Sequence, residues 1–232
     1  ETGDVKAQCL ALHLKSDHYY YVEDIPTLRK AIKRVRDFAI KTPYKQYVFS
    51  PWAKLITYYT RQRDYGAAMK EVQAYREEAI RLNNAYAISF SYRYIGNIYL
   101  LQSNHVRAIQ EYMKGIHYSI TQHETTNLHE IYLSVGKAYR YMKQYDSAFV
   151  YFEKVLEMIP ENTKFNIYLP MSTMALEQNK MEIATQYMEK MEKWIAKYPL
   201  HGADRDSYFA HMSRYYSKCK NCLLYTSPSP RD

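Results

Sequence analysis

Residues 132–139 read Tyr-Leu-Ser-Val-Gly-Lys-Ala-Tyr, and Ala148, Phe152 and Pro160 follow further along the chain. The aromatic and aliphatic side chains of this octamer stand at positions i, i+3 and i+7, which form one stripe on an α-helix. An alanine sixteen residues after the first tyrosine would lie on a second helix and let the two helices approach closely. The segment therefore predicts an antiparallel helical hairpin with an apolar face that needs a neighbour.

The same columns recur at spacings of 40, 40, 36 and 40 residues. The first aromatic column is Trp52, Tyr92, Tyr132, Tyr168 and Tyr208. Seven residues on, the column reads Tyr59, Tyr99, Tyr139, Ala175 and Tyr215. The alanine column is unbroken and consists of Ala68, Ala108, Ala148 and Ala184. Because one hairpin cannot bury its apolar face alone, this period predicts a stacked array of helical repeats.

A small residue next to the stripe supports the same close approach from the first helix. Gly96 and Gly136 hold this position in the second and third copies, whereas Ile56 and Ser172 replace it in the first and fourth. The fourth copy also carries Pro170 inside its first helix, which predicts a displaced opening turn.

This pattern resembles the tetratricopeptide repeat, whose signature is W-x₂-L-G-x₂-Y followed by alanine, an aromatic residue and proline. The resemblance covers roughly residues 44–220 and implies an all-α fold, an α-α superhelix or solenoid of antiparallel helix pairs. The expected copies are 49–84, 88–124, 128–163, 164–200 and a truncated copy at 204–220. A degenerate helical hairpin is expected within residues 1–43, with Ala31 in the alanine role.

Helix boundaries follow from local signals. Ser50-Pro51 and Asp24 before Ile25-Pro26 read as N-caps followed by a proline in the first turn. Asn83-Asn84 and Gln178-Asn179 mark breaks between helices.

Residues 222–232 differ sharply from the rest and include two Ser-Pro units. The string resembles the translation of a common transposon-type sequencing adapter, so 221–232 is interpreted as a non-native, extended tail and the chain as a fragment. The alternative is a natural Pro/Ser linker. On the first interpretation Cys222 leaves the C-x-x-C pair that it forms with Cys219. Cys9 and Cys219 alone make neither a disulfide framework nor a metal site.

The chain has a formal net charge of +8, but its cations are interspersed with acids. This pattern favours a solvated surface with a mildly basic groove, and we do not expect nucleic acid as a partner. The 27 tyrosines suit the half-buried positions that a thin core of helix pairs provides. No stretch approaches the roughly 18 apolar residues of a membrane span.

Sequence motifs for catalysis are not found. His123-Glu124 and His129-Glu130 each lack the second histidine that a zinc-binding H-E-x-x-H helix requires. The sequence shows no glycine-rich phosphate loop and no distinguishable Ser, His and acid set. We therefore expect no enzyme activity, no cofactor and no metal.

The family resemblance assigns the concave surface to the first helices and implies a peptide-binding groove there. Its candidate residues are Arg61, Phe90, Arg93, Asn97, Lys137, Arg140 and Tyr141. Arg93 and Asn97 resemble the start of the carboxylate clamp of chaperone-binding members, but Ser134, Asn166 and Pro170 occupy the later clamp positions. With the acids expected mainly on second helices, we predict a basic groove for an acidic or amidated peptide; the alternative is that these side chains are simply solvated.

Three functions remain open at this stage. Residues 149–158 resemble the N-terminal sensor arrays of bacterial histidine kinases and helix-turn-helix regulators, which predicts an interaction region of a larger signalling protein. The alternatives are a free-standing scaffold or co-chaperone, and a helical accessory region of an enzyme. The sequence leaves the ligand, the oligomeric state and the choice between cytoplasm and periplasm open.

Overall fold

The computed structural model describes the backbone of residues 4–226 and the side chains of residues 4–219. That part of the chain contains eleven α-helices and two short 3₁₀ helices and has no β-strand, which confirms the all-α prediction. The first six helices are α1 (Val5–Tyr21), α2 (Ile25–Ala39), α3 (Phe49–Arg61), α4 (Tyr65–Arg81), α5 (Ala85–Leu101) and α6 (His105–Thr121). The other five are α7 (Leu128–Tyr141), α8 (Tyr145–Met158), α9 (Phe165–Glu177), α10 (Met181–Lys197) and α11 (Gly202–Thr226).

The chain divides into two compact units, Glu1–Ala138 and Tyr139–Asp232. In the first unit α1 packs against α2, α3 against α4, and α5 against α6, while α2–α3 and α4–α5 contacts join successive pairs. In the second unit α9 packs against α10, and α8 and α11 also contact α9. Within each unit, these helices pack against neighbours in the sequence, as the repeat pattern predicts.

The alanine column lies at the helix contacts. Ala68, Ala108, Ala148 and Ala184 are all 0% exposed, and Ala31 is also buried. Four residues after the second and third of these alanines, Tyr112 and Phe152 are also buried. A small side chain followed one turn later by a large ring is what close packing of two helices requires.

The buried carboxylate of Glu71, on α4, accepts a hydrogen bond from Trp52, on α3. The indole Nε1 of Trp52 donates to Glu71 Oε2 at 2.9 Å, and Arg29 Nη1 lies 2.7 Å from Glu71 Oε1. The same guanidinium donates to the hydroxyl of Tyr59 at 3.1 Å. Both carboxylate oxygens of Glu71, which is only 8% exposed, therefore have partners on α2 and α3.

The packing tyrosines of the later copies lie half-buried. The ring of Tyr99 lies under the guanidinium of Arg107, and the ring of Tyr139 stacks on that of Tyr151. Gly136, on α7, is buried. These tyrosines have the mixed environment that an amphipathic ring favours.

Three-residue loops with the same backbone conformation join many of the helices, and the middle residue of each has a positive φ angle. These residues are Glu23, Arg63, Asn83, Ser103, Lys143 and Asn179. His123 also has a positive φ angle, but it lies in the longer loop between α6 and α7. In the α3–α4 loop Asp64 N donates to Tyr59 O at 3.0 Å and Arg63 N to Thr60 O at 3.2 Å, the bonding of a Schellman helix end. The next residue often caps the following helix, as Asn84 Oδ1 does for the backbone N–H of Ala87.

Two predicted boundaries agree with these loops. Asp24 Oδ1 accepts from the backbone N–H of Thr27 at 3.1 Å, so Asp24 is the N-cap of α2. Asn84 likewise caps α5.

One other boundary prediction is wrong. Ser50 is not an N-cap, because a 3₁₀ helix (Lys45–Val48) leads directly into α3, which begins at Phe49. The helix tolerates Pro51 because residue 51 lies within the first turn of α3, where a backbone N–H has no intrahelical partner to lose.

The tail prediction is wrong for residues 222–226, which are not extended but continue α11 to Thr226. Leucine and tyrosine are compatible with a helix, and the first helix breaker in this stretch is Pro228, which also restricts the residue before it. Residues 227–232 lie outside the described part of the chain.

Pro170 is the sixth residue of α9, and a 3₁₀ helix (Glu161–Thr163) precedes that helix. The helix nevertheless runs on to Glu177. The stripe residues Tyr168 and Met171 remain buried, with exposures of 9% and 0%.

Candidate peptide-binding site

A pocket of about 280 Å³ lies between the first helices of the first unit. Four predicted groove residues line it: Arg61 from α3, Arg93 and Asn97 from α5, and Lys137 from α7. The remaining wall is formed by Ile56, Thr57, Thr60, Tyr94, Leu100, Leu101 and Ser134. The structure thus brings three cationic side chains and one amide together around a partly apolar cavity, and we call it the basic pocket.

Arg93 is held in place on three sides. Its Nη1 lies 3.0 Å from Glu130 Oε2, its Nε donates to Ser134 Oγ at 3.2 Å, and its guanidinium carbon lies 5.2 Å from the ring centre of Phe90. Glu130 stands on α7, so this partner of Arg93 is an acid on a first helix. The repeat spacing does not predict the Arg93–Glu130 ion pair, because the two residues lie on different helices.

Asn97 is oriented from the opposite layer of helices. Its Oδ1 accepts from the hydroxyl of Tyr112 at 2.7 Å, and Tyr112, on α6, is fully buried. An amide whose oxygen is already occupied offers its two N–H groups. Burial raises the pKa of the neighbouring Tyr94, so its hydroxyl stays neutral at physiological pH. The polar surface here donates hydrogen bonds and carries positive charge.

Phe90 does not line the pocket. It is 4% exposed, stacks on Tyr86 with ring centres 4.5 Å apart, and meets Tyr94 edge-on at 6.1 Å. Its position beneath Arg93 makes it a support for the guanidinium.

Arg61, Arg140 and Tyr141 complete the predicted set. Arg61 is exposed, and its Nη1 donates to the hydroxyl of Tyr20 at 3.4 Å. Arg140 and Tyr141 belong to the second unit, where the guanidinium of Arg140 lies 5.6 Å from the ring centre of Tyr141. Tyr141 is 57% exposed.

The described residues offer neither a metal-binding cluster nor a disulfide. Within the described part, no group of three or more His, Cys, Asp or Glu side chains could hold a metal ion. Cys9 is buried and Cys219 is half-buried, and both are free thiols. None of the described helices combines the length and apolarity needed to cross a membrane.

Residues 129–162 match the family model described as tetratricopeptide repeat. This segment is a tetratricopeptide repeat. It contains the octamer at 132–139 and nearly all of α7 and α8. Among curated proteins, no sequence matches the chain.

Solved structures share the fold of this repeat protein at low sequence identity. pilF of Pseudomonas aeruginosa has a TM-score of 0.59 at 14% identity, with 97% of this chain and 95% of that chain covered. BtubC (BKLC) of P. vanneervenii has a TM-score of 0.56 at 13% identity, with 100% and 96% covered.

A third similar structure is a Signal Transduction ATPase with Numerous Domains (STAND) from Pyrococcus horikoshii, which has a tetratricopeptide repeat sensor. The TM-score is 0.52 at 15% identity, and 97% of this chain is covered. The present chain spans only 38% of that protein.

Proposed function

We propose that the chain is a tetratricopeptide repeat scaffold that binds an extended acidic peptide segment in the basic pocket. The observation that carries this proposal is the convergence of Arg61, Arg93 and Lys137 on one cavity that also has apolar walls. Carboxylates of a peptide would form charge-assisted hydrogen bonds with the cations, while its backbone would accept from the amide of Asn97.

The charge balance of the pocket supports an anionic segment even though Arg93 already has a carboxylate partner. Glu130 occupies Nη1 of Arg93 and Ser134 its Nε, which leaves Nη2 available. Three cations line the pocket, whereas Glu130 is not among its lining residues. Exposed ion pairs contribute only about 0.2–1 kcal/mol each, so binding is modest and weakens as salt rises.

The test is a peptide-display selection on the purified chain, followed by affinity measurements on the enriched peptides. We expect acidic peptides, and the double variant Arg61→Gln/Lys137→Gln should bind them roughly 2- to 30-fold more weakly. These two side chains are exposed, so the variant should fold normally. The matched control is Lys30→Gln/Lys70→Gln, which removes two exposed cations from second helices.

Selection of basic or purely apolar peptides would contradict the proposal. Equal loss of affinity in the two double variants would also contradict it, because the effect would then reflect net charge and not the pocket.

The broader role that we propose is the sensor or interaction region of a larger bacterial signalling protein. The sensor of the STAND ATPase supports this role, whereas the structural similarity to whole chains such as pilF favours a free-standing scaffold or co-chaperone. Sequencing the intact gene on both sides of this chain distinguishes the two: the sensor role requires an output domain in the same reading frame.

A further inference from the structure

A second pocket, of about 410 Å³, lies between α9 and α11 of the second unit. Its volume falls in the range of about 300–1,000 Å³ that is usual for small-molecule sites. Glu177 contributes from α9, and Arg214 and Lys218 contribute from α11. It is a separate site from the basic pocket and shares none of its residues.

Two opposite charges line this pocket without pairing with each other. Glu177 and Arg214 are both exposed. In the described part of the second unit, no ion pair joins the two side chains. The second cation, Lys218, already forms hydrogen bonds within the protein. Its Nζ donates to the carbonyl oxygen of Leu176 and to Asn179 Oδ1, at the C-terminal end of α9. Arg214 is therefore the cation that can meet a ligand.

The carboxylate of Glu177 can also accept a hydrogen bond from a ligand. Glu177 Oε2 accepts from the hydroxyl of Tyr145, and its second oxygen, Oε1, has no hydrogen-bond partner in the described side chains. One carboxylate oxygen is therefore available to a cationic group.

A fixed polar wall adjoins these two charges. His211 is 4% exposed; its Nε2 lies 2.8 Å from Ser172 Oγ, and its Nδ1 lies 3.3 Å from Thr173 Oγ1. Burial, assisted by Arg214, lowers the pKa of His211, so the imidazole is neutral at pH 7. The pocket thus contains two positive groups, of which Lys218 is held by hydrogen bonds at the end of α9, one negative group, Glu177, and uncharged polar atoms.

We propose that this pocket binds a free α-amino acid, whose carboxylate pairs with Arg214 and whose ammonium group pairs with Glu177. A zwitterion satisfies both charges at once. A simple anion would leave Glu177 unmatched and be repelled by it, and a simple cation would meet the same difficulty at Arg214. The buried side chain of Leu176, also in the lining, gives the aliphatic part of the ligand an apolar contact.

Calorimetric titration of the full chain with the twenty common L-amino acids tests this proposal. We expect saturable binding of at least one of them. Its amide, which lacks the carboxylate, and its N-acetyl derivative, which lacks the ammonium group, should each bind about tenfold more weakly or worse. Equal binding of either derivative, or no binding of any amino acid at about 10 mM, overturns the proposal.

Variants then locate the site. Arg214→Gln and Glu177→Gln should each reduce the affinity by about tenfold or more without changing the melting temperature, because both side chains are exposed. Glu189→Gln and Lys193→Gln remove exposed charges from α10 and serve as matched controls. If the controls weaken binding as much as the two pocket variants, the amino acid binds elsewhere and the assignment fails.

Discussion

Gly96 of α5 lies directly against the ring of Tyr112 of α6. A β-carbon on residue 96 would lie 2.3 Å from Cε1 and 2.6 Å from Cδ1 of that ring, far inside van der Waals contact. Tyr112 cannot move aside easily, because it is fully buried and its hydroxyl is hydrogen-bonded to Asn97. The absence of a side chain at residue 96 therefore sets the distance between these two helices.

Gly96→Ala should destabilise the first unit by about 1–3 kcal/mol through overpacking. The measurement is urea unfolding followed by circular dichroism. Gly66→Ala is the matched control, since the β-carbon there would meet only Asp64 Oδ1 at an ordinary 3.7 Å. Alanine is the better helix former, so the control should be neutral or stabilising by up to about 1 kcal/mol. Similar values for the two variants would contradict the close contact.

Ser103→Gly should stabilise the protein by about 1 kcal/mol. Ser103 has φ of 61°, a left-handed conformation that costs residues with a β-carbon about 1–2 kcal/mol, and glycine relieves this cost. Asn83→Gly, at φ of 50°, is the comparison and should gain less, because asparagine tolerates this region better than serine. A lower melting temperature for Ser103→Gly would refute the explanation.

Trp52 and Glu71 should show energetic coupling in a double-mutant cycle. Trp52→Phe removes the indole donor, and Glu71→Gln retains the shape of the acceptor but removes its charge. Because a buried hydrogen bond to a charged group contributes about 1.5–3 kcal/mol, we expect a coupling free energy on the order of 1 kcal/mol or more. Additive effects within about 0.3 kcal/mol would mean that the bond at 2.9 Å does not contribute to stability.

Stability should fall as the pH drops below about 6.5, in part through His211. Burial first, and Arg214 second, lower the pKa of this imidazole from its ordinary value of 6.5. The unfolded chain therefore binds the proton more readily, so the contribution of His211 is present above pH 6.5 and is lost as the pH falls towards the folded-state pKa.

The check is the melting temperature of His211→Gln between pH 7 and pH 5. This variant should lose less stability over that range than the parent chain does. His201→Gln, an exposed histidine of the second unit, is the control and should behave as the parent. Identical pH dependence in His211→Gln and the parent would exclude a role for the buried imidazole.

The sequence predicts this fold well where one residue type recurs for one physical reason. Each alanine of the column is fully buried, because the helix contact repeats with the period of the sequence. The loops are harder to predict from the sequence, because the left-handed residues Arg63, Ser103 and Lys143 are not glycines.

The site was predicted less completely than the fold. Arg93, Asn97 and Lys137 could be placed near one another from the repeat alone. The pairing of Arg93 with Glu130 and the burial of Phe90 could not, since both depend on the relative rotation of neighbouring helices, which the repeat spacing leaves unspecified.

The hydrogen bond between Asn97 and Tyr112 affects how the ligand specificity of the basic pocket could evolve. Asn97 and Arg93 are held by partners before any ligand arrives, so they lose little rotational entropy on binding, and changing either one disturbs helix packing. Arg61 and Lys137 are exposed, so changing them removes little buried contact from the core. Selection could therefore exchange Arg61 and Lys137 to redirect the protein to new ligands, while the half of the pocket around Asn97 stays the same.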